Sequence, residues 1–83
     1  DELVLKAREH MQREIRRIRK KLHLSQAQAA RLTGGGHNAF SRYESGETTP
    51  MAAVVNLLKL LDLRPDLLGA LVSPPDVELQ LHP

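Results

Sequence analysis

Gly34-Gly35-Gly36-His37-Asn38-Ala39-Phe40-Ser41-Arg42-Tyr43-Glu44-Ser45-Gly46 reads as a tight turn, a short helix and a glycine stop. On a helix of about 3.6 residues per turn over residues 38–45, Asn38, Ser41, Arg42 and Ser45 share one face, at spacings of three and four. Phe40 and Tyr43, the only aromatic residues in the chain, fall on the opposite face. The aromatics are therefore expected to point inward while Asn38 and Arg42 point outward together. Asn and Arg are the side chains that make bidentate contacts to adenine and guanine edges in a DNA major groove. The segment has the build of a short base-reading helix.

The flanking sequence supplies helices for it to pack against. Upstream, Met11, Ile15, Ile18 and Leu22 make an apolar stripe at helical spacing, which predicts a helix from about Leu3 to Leu22. Arg13, Arg16, Arg17 and Lys20 fall on its far face. Ser25 followed three residues on by Gln28 is a capping-box pattern and opens a second helix. Ala29, Ala30 and Leu32 give that helix a small apolar face suited to close packing. Gly46 is expected to stop the third helix in a left-handed conformation. Thr49-Pro50 is expected to open a fourth, as cap and first helical residue. Met51, Val54, Leu58 and Leu61 share one face of it, and Val55, Leu57 and Leu60 make it apolar almost all round. Pro65 starts a short fifth helix with Leu67, Leu68 and Leu71, which Ser73-Pro74-Pro75 ends. The expectation is an all-α, five-helix domain over residues 1–72. The tail 73–83 is either frayed or strand-forming, because Val77, Leu79 and Leu81 alternate with polar residues.

The net charge of +2 conceals an asymmetry. Residues 6–21 hold eight basic side chains against Glu9 and Glu14, a net of +6, whereas residues 44–83 carry a net of −4. Such a division suits one surface that attracts a polyanion, although a basic helix face is also commonly just solvated. The absence of cysteine excludes disulfides and thiolate metal sites and fits a reducing, cytoplasmic setting. No apolar run approaches the ~20 residues of a membrane span, and the acidic start is unlike a secretory signal. His10, His23, His37 and His82 lack metal-ligand spacing. No Ser, His and carboxylate grouping marks a nucleophile, so neither an enzyme nor a cofactor is expected. The three glycines lack the Gly-Lys-Ser/Thr of a nucleotide loop. The basic helix lacks the exposed aromatics that stack on single-stranded bases.

Leu24-Ser25-Gln26, Ala30, Ser41-Arg42-Tyr43-Glu44-Ser45-Gly46 and Pro50 resemble the helix-turn-helix family of phage repressors and Cro, whose bacterial members include xenobiotic-response-element regulators. The run Gly34 to Glu44, with Leu57-Leu58 and Leu60-Leu61-Asp62 beyond it, looks like the DNA-binding half of MqsA-type antitoxins. The general resemblance covers roughly residues 15–71. It implies a repressor-type bundle, a double-stranded operator as partner, and an antitoxin or related repressor acting on its own operon. Asn38 and Arg42 are then the base-reading residues. Gln26 would hold a backbone phosphate, as a glutamine there often does in the family. Amides near Gly36, His37 and Asn38 would meet phosphate too. Ser41 and Ser45 either contact phosphate or simply face solvent. The turn before the third helix is about one residue longer than in the phage repressors, as in the MqsA-like variant. MqsA-type antitoxins also carry an N-terminal zinc domain with paired cysteines that binds the toxin. With no cysteine here, a toxin partner would use a segment absent from this chain. One reading helix spans few base pairs, so a homodimer is expected, joined through the fifth helix in preference to the fourth or the tail. The competing reading is a protein-interaction module with helix four or five as its contact face.

Overall fold

The stripe Met11, Ile15, Ile18 and Leu22 organises the packing. In the computed structural model, which describes residues 2–71, it runs along α1 (Glu2–Lys21) to the residue just past its end and meets side chains from every longer helix. The chain continues through α2 (Gln26–Thr33), α3 (Ala39–Ser45) and α4 (Ala52–Leu63), then a 3-10 turn (Pro65–Leu67) and α5 (Leu68–Leu71). Ile15, Ile18 and Leu22 are buried with Ala29 and Ala30 of α2, Phe40 of α3 and Leu58 and Leu61 of α4. Met11, Leu24, Leu32, Tyr43, Val54, Leu57 and Leu68 close the cluster from its edges. The alanines let α2 approach closely, and Phe40 fills the space that leaves. The ring of Phe40 meets Tyr43 edge to face, with centroids 5.2 Å apart and planes at 67°. The expected all-helical architecture is thus present, and the expected tail 73–83 lies outside the described residues.

Local signals set most helix ends. The first helix closes with Leu24 donating its amide to the Arg19 carbonyl and His23 to that of Lys20. That exit places His23 at φ 59°, a left-handed conformation usually given to glycine. α2 opens with the expected capping box: Ser25 Oγ accepts the Gln28 amide at 3.0 Å, and Gln28 Oε1 accepts the Ser25 amide at 2.8 Å. The start of α4 departs from expectation. Thr49 and Pro50 do not open it; the helix begins at Ala52 with Met51 as its cap residue. Pro50 is buried instead and lines a groove with Met11 and Tyr43, so burying the ring displaces the helix start by two residues. Nor is α4 covered all round: Leu60 and Leu63 face outward.

Charged groups flank the apolar stripe of α1 on both sides. On one edge, Glu44 of α3 turns inward with its side chain only 3% exposed. Arg19 grips it with Nε to Oε2 at 2.6 Å and Nη2 to Oε1 at 3.0 Å, while its Nη1 donates to the Leu24 carbonyl at 2.9 Å. Gln26 Nε2 and Arg16 Nε reach the same Oε1 at 3.3 and 3.4 Å. On the other edge, Asp62 of α4 accepts Arg17 Nη2 at 2.8 Å and Lys21 Nζ at 2.8 Å. Arg17 also grips Glu14, with Nη2 at 2.7 Å. Burial would push the Glu44 carboxyl up, but the Arg19 and Gln26 hydrogen bonds outweigh it and hold the carboxyl below its ordinary value. The Arg17 and Lys21 hydrogen bonds hold the Asp62 carboxyl well below the usual carboxylate range.

Two outcomes follow from this packing. Phe40→Ala empties a fully buried site and costs roughly 3–5 kcal/mol, a large share of a small domain's stability. Thermal denaturation followed by circular dichroism should show a melt far below the unsubstituted protein, and an overlaid melt would place Phe40 outside the core. Glu44→Gln leaves Arg19 unmatched, at the lower end of the roughly 3–5 kcal/mol for breaking a buried pair, because Arg19 keeps the Leu24 carbonyl. A depressed carboxylate pKa stabilises the fold above the unfolded value, about 4.3 for Glu. That contribution is complete at neutral pH and is lost as the pH falls through the folded value. Acid titration of the melting temperature should therefore drop less steeply below about pH 4 in Glu44→Gln than in the parent.

Candidate nucleic-acid interface

The turn that presents α3 is built from backbone hydrogen bonds. Gly34 leaves α2 at φ 80°, its amide bonded to the Arg31 carbonyl, and Gly35 donates to Ala30 at 2.9 Å. This is the paired exit that only a residue at ease with positive φ closes without strain. Gly35 has a second constraint. A Cβ there would sit 2.9 Å from the Ala39 Cβ, closer than two such atoms pack, so its lack of a side chain lets α3 fold back against the end of α2. Gly36 then accepts the Ala39 amide at 2.9 Å, and the first helical bond of α3 runs from the Arg42 amide to the Asn38 carbonyl at 3.1 Å. Asn38 is therefore the cap residue, and α3 begins one residue later than its pattern suggested.

Across α3 the two faces separate cleanly. Phe40 is buried, Tyr43 is half-buried and the Glu44 side chain is enclosed, so residues i, i+3 and i+4 anchor the inner face. Ser41, Arg42 and Ser45 are exposed on the outer face, and His37 and Asn38 are exposed in the turn that leads to it. The Asn38 side chain caps nothing, which leaves its amide for an external partner. Arg42 is 58% exposed and stands 3.5 Å from Glu47. Both members of that pair are solvated, so it orients the guanidinium without committing it.

The structure brings Asn38, Ser41 and Arg42 to one surface but treats other sequence-expected residues differently. The Ser45 hydroxyl donates to the Arg42 carbonyl at 3.2 Å and accepts the Glu47 amide at 3.4 Å, so it serves the exit from α3. Gln26 spends one amide hydrogen on Glu44 and keeps its carbonyl and second hydrogen. Gly36 and His37 lie in the turn, exposed, with the glycine carbonyl engaged by Ala39. In the sequence Glu44 stands out only as a member of the runs that carry the family resemblance. Its spacing four residues after Phe40 was the available signal that it faces inward, but the cations that meet it come from α1. Much of the basic face of α1 is likewise used internally, with Arg16, Arg17, Arg19 and Lys21 bonded to Glu44, Asp62 or Glu14. Among the described residues, no group of three or more His, Cys, Asp or Glu could hold a metal ion, and no helix is long and apolar enough to cross a membrane.

Comparison with known proteins places this geometry in a family. The model of the antitoxin component of bacterial toxin-antitoxin systems, MqsA, matches residues 3–72. The Antitoxin MqsA of Escherichia coli (strain K12) is 49% identical over 53 residues. The matched stretch is 64% of this chain and 40% of that protein, so the chain spans less than half the length of the curated relative. Since the family match takes in all five helices, from the first turn of α1 to the end of α5, the chain belongs to the MqsA family of antitoxin components of bacterial toxin-antitoxin systems.

Proposed function

We propose that the chain is the DNA-binding part of an antitoxin that represses its own operon, reading double-stranded DNA through the major groove with α3. The observation that carries this is the division of α3 into an inner face locked by Phe40, Tyr43 and Glu44 and an outer face that offers Asn38, Ser41 and Arg42 to solvent. A recognition element must hold its side chains still relative to the groove, and a helix only seven residues long cannot do so unaided. Here its underside is fixed by a buried ring and a gripped carboxylate. Arg42 would bond guanine O6 and N7, and Asn38 adenine N6 and N7. Gln26, with the backbone near Gly36 and His37, would set the register on phosphates. A toxin would be engaged by a segment other than these residues.

The unit that binds is proposed to be a homodimer. Leu60 and Leu63 of α4 and Leu67 and Leu71 of the C-terminal turns are each more than two-fifths exposed, with Leu63 at 76%. The nearby charges Arg64 and Asp66 neutralise each other at 2.9 Å. A second copy meeting this leucine surface about a two-fold axis would bury it and set two reading helices one DNA turn apart, about 34–36 Å.

Arg42→Ala and Asn38→Ala should each cost ~1–3 kcal/mol of operator binding and relax preference at one base pair, with the helical circular-dichroism spectrum unchanged. The operator for that measurement is a duplex selected by the protein from a random pool. Undiminished binding by both variants would remove α3 as the reader. Analytical ultracentrifugation at tens of micromolar, with and without a palindromic duplex, should show a dimer whose half-sites repeat at about 10 base-pair centres. A monomer that binds one per duplex would defeat the dimer.

A further inference from the structure

We infer that Arg16 is a phosphate-binding residue at the edge of the α3 surface, held ready by the same carboxylate that anchors α3. The inference rests on the DNA reading and deepens it by naming a contact that the helix-turn-helix pattern alone does not assign.

The stoichiometry of the Glu44 cluster is the starting point. Arg19 alone matches the carboxylate: it binds both oxygens, gives a third bond to Leu24 and is 11% exposed. Arg16 is a second full positive charge against the same single negative charge. It commits only Nε, at the long distance of 3.4 Å, and its side chain remains 61% exposed. A guanidinium carries five N–H donors in a planar fork that suits phosphate oxygens, and the Nη groups of Arg16 have no partner among the described residues.

Position supplies the rest. Glu44 immediately precedes Ser45 on the outer side of α3, and Gln26 opens α2 on the same carboxylate oxygen. Arg16 therefore stands at the shoulder of the proposed reading helix, not on a remote face of α1. A helix seated in a groove about 12 Å wide has a phosphate strand along each flank. The other strong cations of this helix segment are engaged: Arg19 by Glu44, Arg17 and Lys21 by Asp62 on the opposite edge. Lys20, one turn beyond Arg16, is exposed but has no carboxylate to orient it. Arg16 alone combines free donors, solvent access and an anchor to α3.

The test is the salt dependence of binding by the full chain to a 20-base-pair duplex of arbitrary sequence, since phosphate contacts do not depend on sequence. Each phosphate neutralised adds about 0.9 to the slope of log K against log salt. Arg16→Ala should make the slope shallower by about that amount, and Arg16→Lys should restore it. Lys59→Ala, which removes the same charge from the groove on the α1–α4 side, should leave it unchanged. The melting temperature of Arg16→Ala should stay near that of the parent, because Arg19 keeps Glu44. An unchanged slope in Arg16→Ala overturns the inference while the DNA reading stands, and a lowered melting temperature beside it would make Arg16 a structural brace only. An equal effect from Lys59→Ala overturns the inference in favour of net charge. Failure of the unsubstituted chain to bind duplex DNA overturns the DNA reading itself.

Discussion

The buried carboxylate of Glu44 is the constraint to which the rest of the molecule is fitted. A carboxylate taken out of water costs several kcal/mol unless it is matched, so the fold must bring cations to it. Arg19 comes from the last turn of α1, and Gln26 comes from the first turn of α2. Three helices are thereby tied to one group. Apolar contact at Phe40 holds α3 down but tolerates small slides and rotations. Hydrogen bonds near 3 Å do not, because they weaken steeply once bent or stretched. Packing supplies the stability of α3, and the ion pair supplies its direction.

Charge in this chain has two uses. The basic run on α1 has the look of a surface that attracts a polyanion, but three of its eight cations, Arg17, Arg19 and Lys21, are spent on Asp62 and Glu44 within the molecule. Arg19 and Arg17 hold opposite edges of α1 to α3 and α4, with the apolar stripe between them. The helix is fastened along three lines, two ionic and one apolar. A domain whose core cluster holds eight buried residues among those described gains from such edges, since its core alone is modest. What remains exposed is a smaller set of donors around α3, the set on which the proposed DNA reading draws.

The helices were legible because each carries its own period and stop. The α1 stripe, the Ser25 capping box and the glycines after α2 and α3 all act within a few residues. The inward aromatics and the outward Asn38 and Arg42 followed from helical geometry alone. The start of α4 was not legible in the same way: Thr49-Pro50 is a sound local signal, but burial of Pro50 beside Met11 and Tyr43 won over it. Asn38 was displaced from helix to cap by a turn bond to Gly36, a difference of one residue that leaves it on the same surface.

The helical class, the turn before α3 and which residues of α3 face in or out are all readable from the residues in order, because those depend on period, capping and φ preferences among neighbours. Which charges are free emerges from the packed helices alone. Arg16, Arg19 and Gln26 lie 28, 25 and 18 residues from Glu44, and Arg17 lies 45 from Asp62. At such separations no local rule distinguishes a solvated arginine from one spent on a buried carboxylate. The distinction appears when the core brings the helices together and the cost of desolvating Glu44 selects its partners.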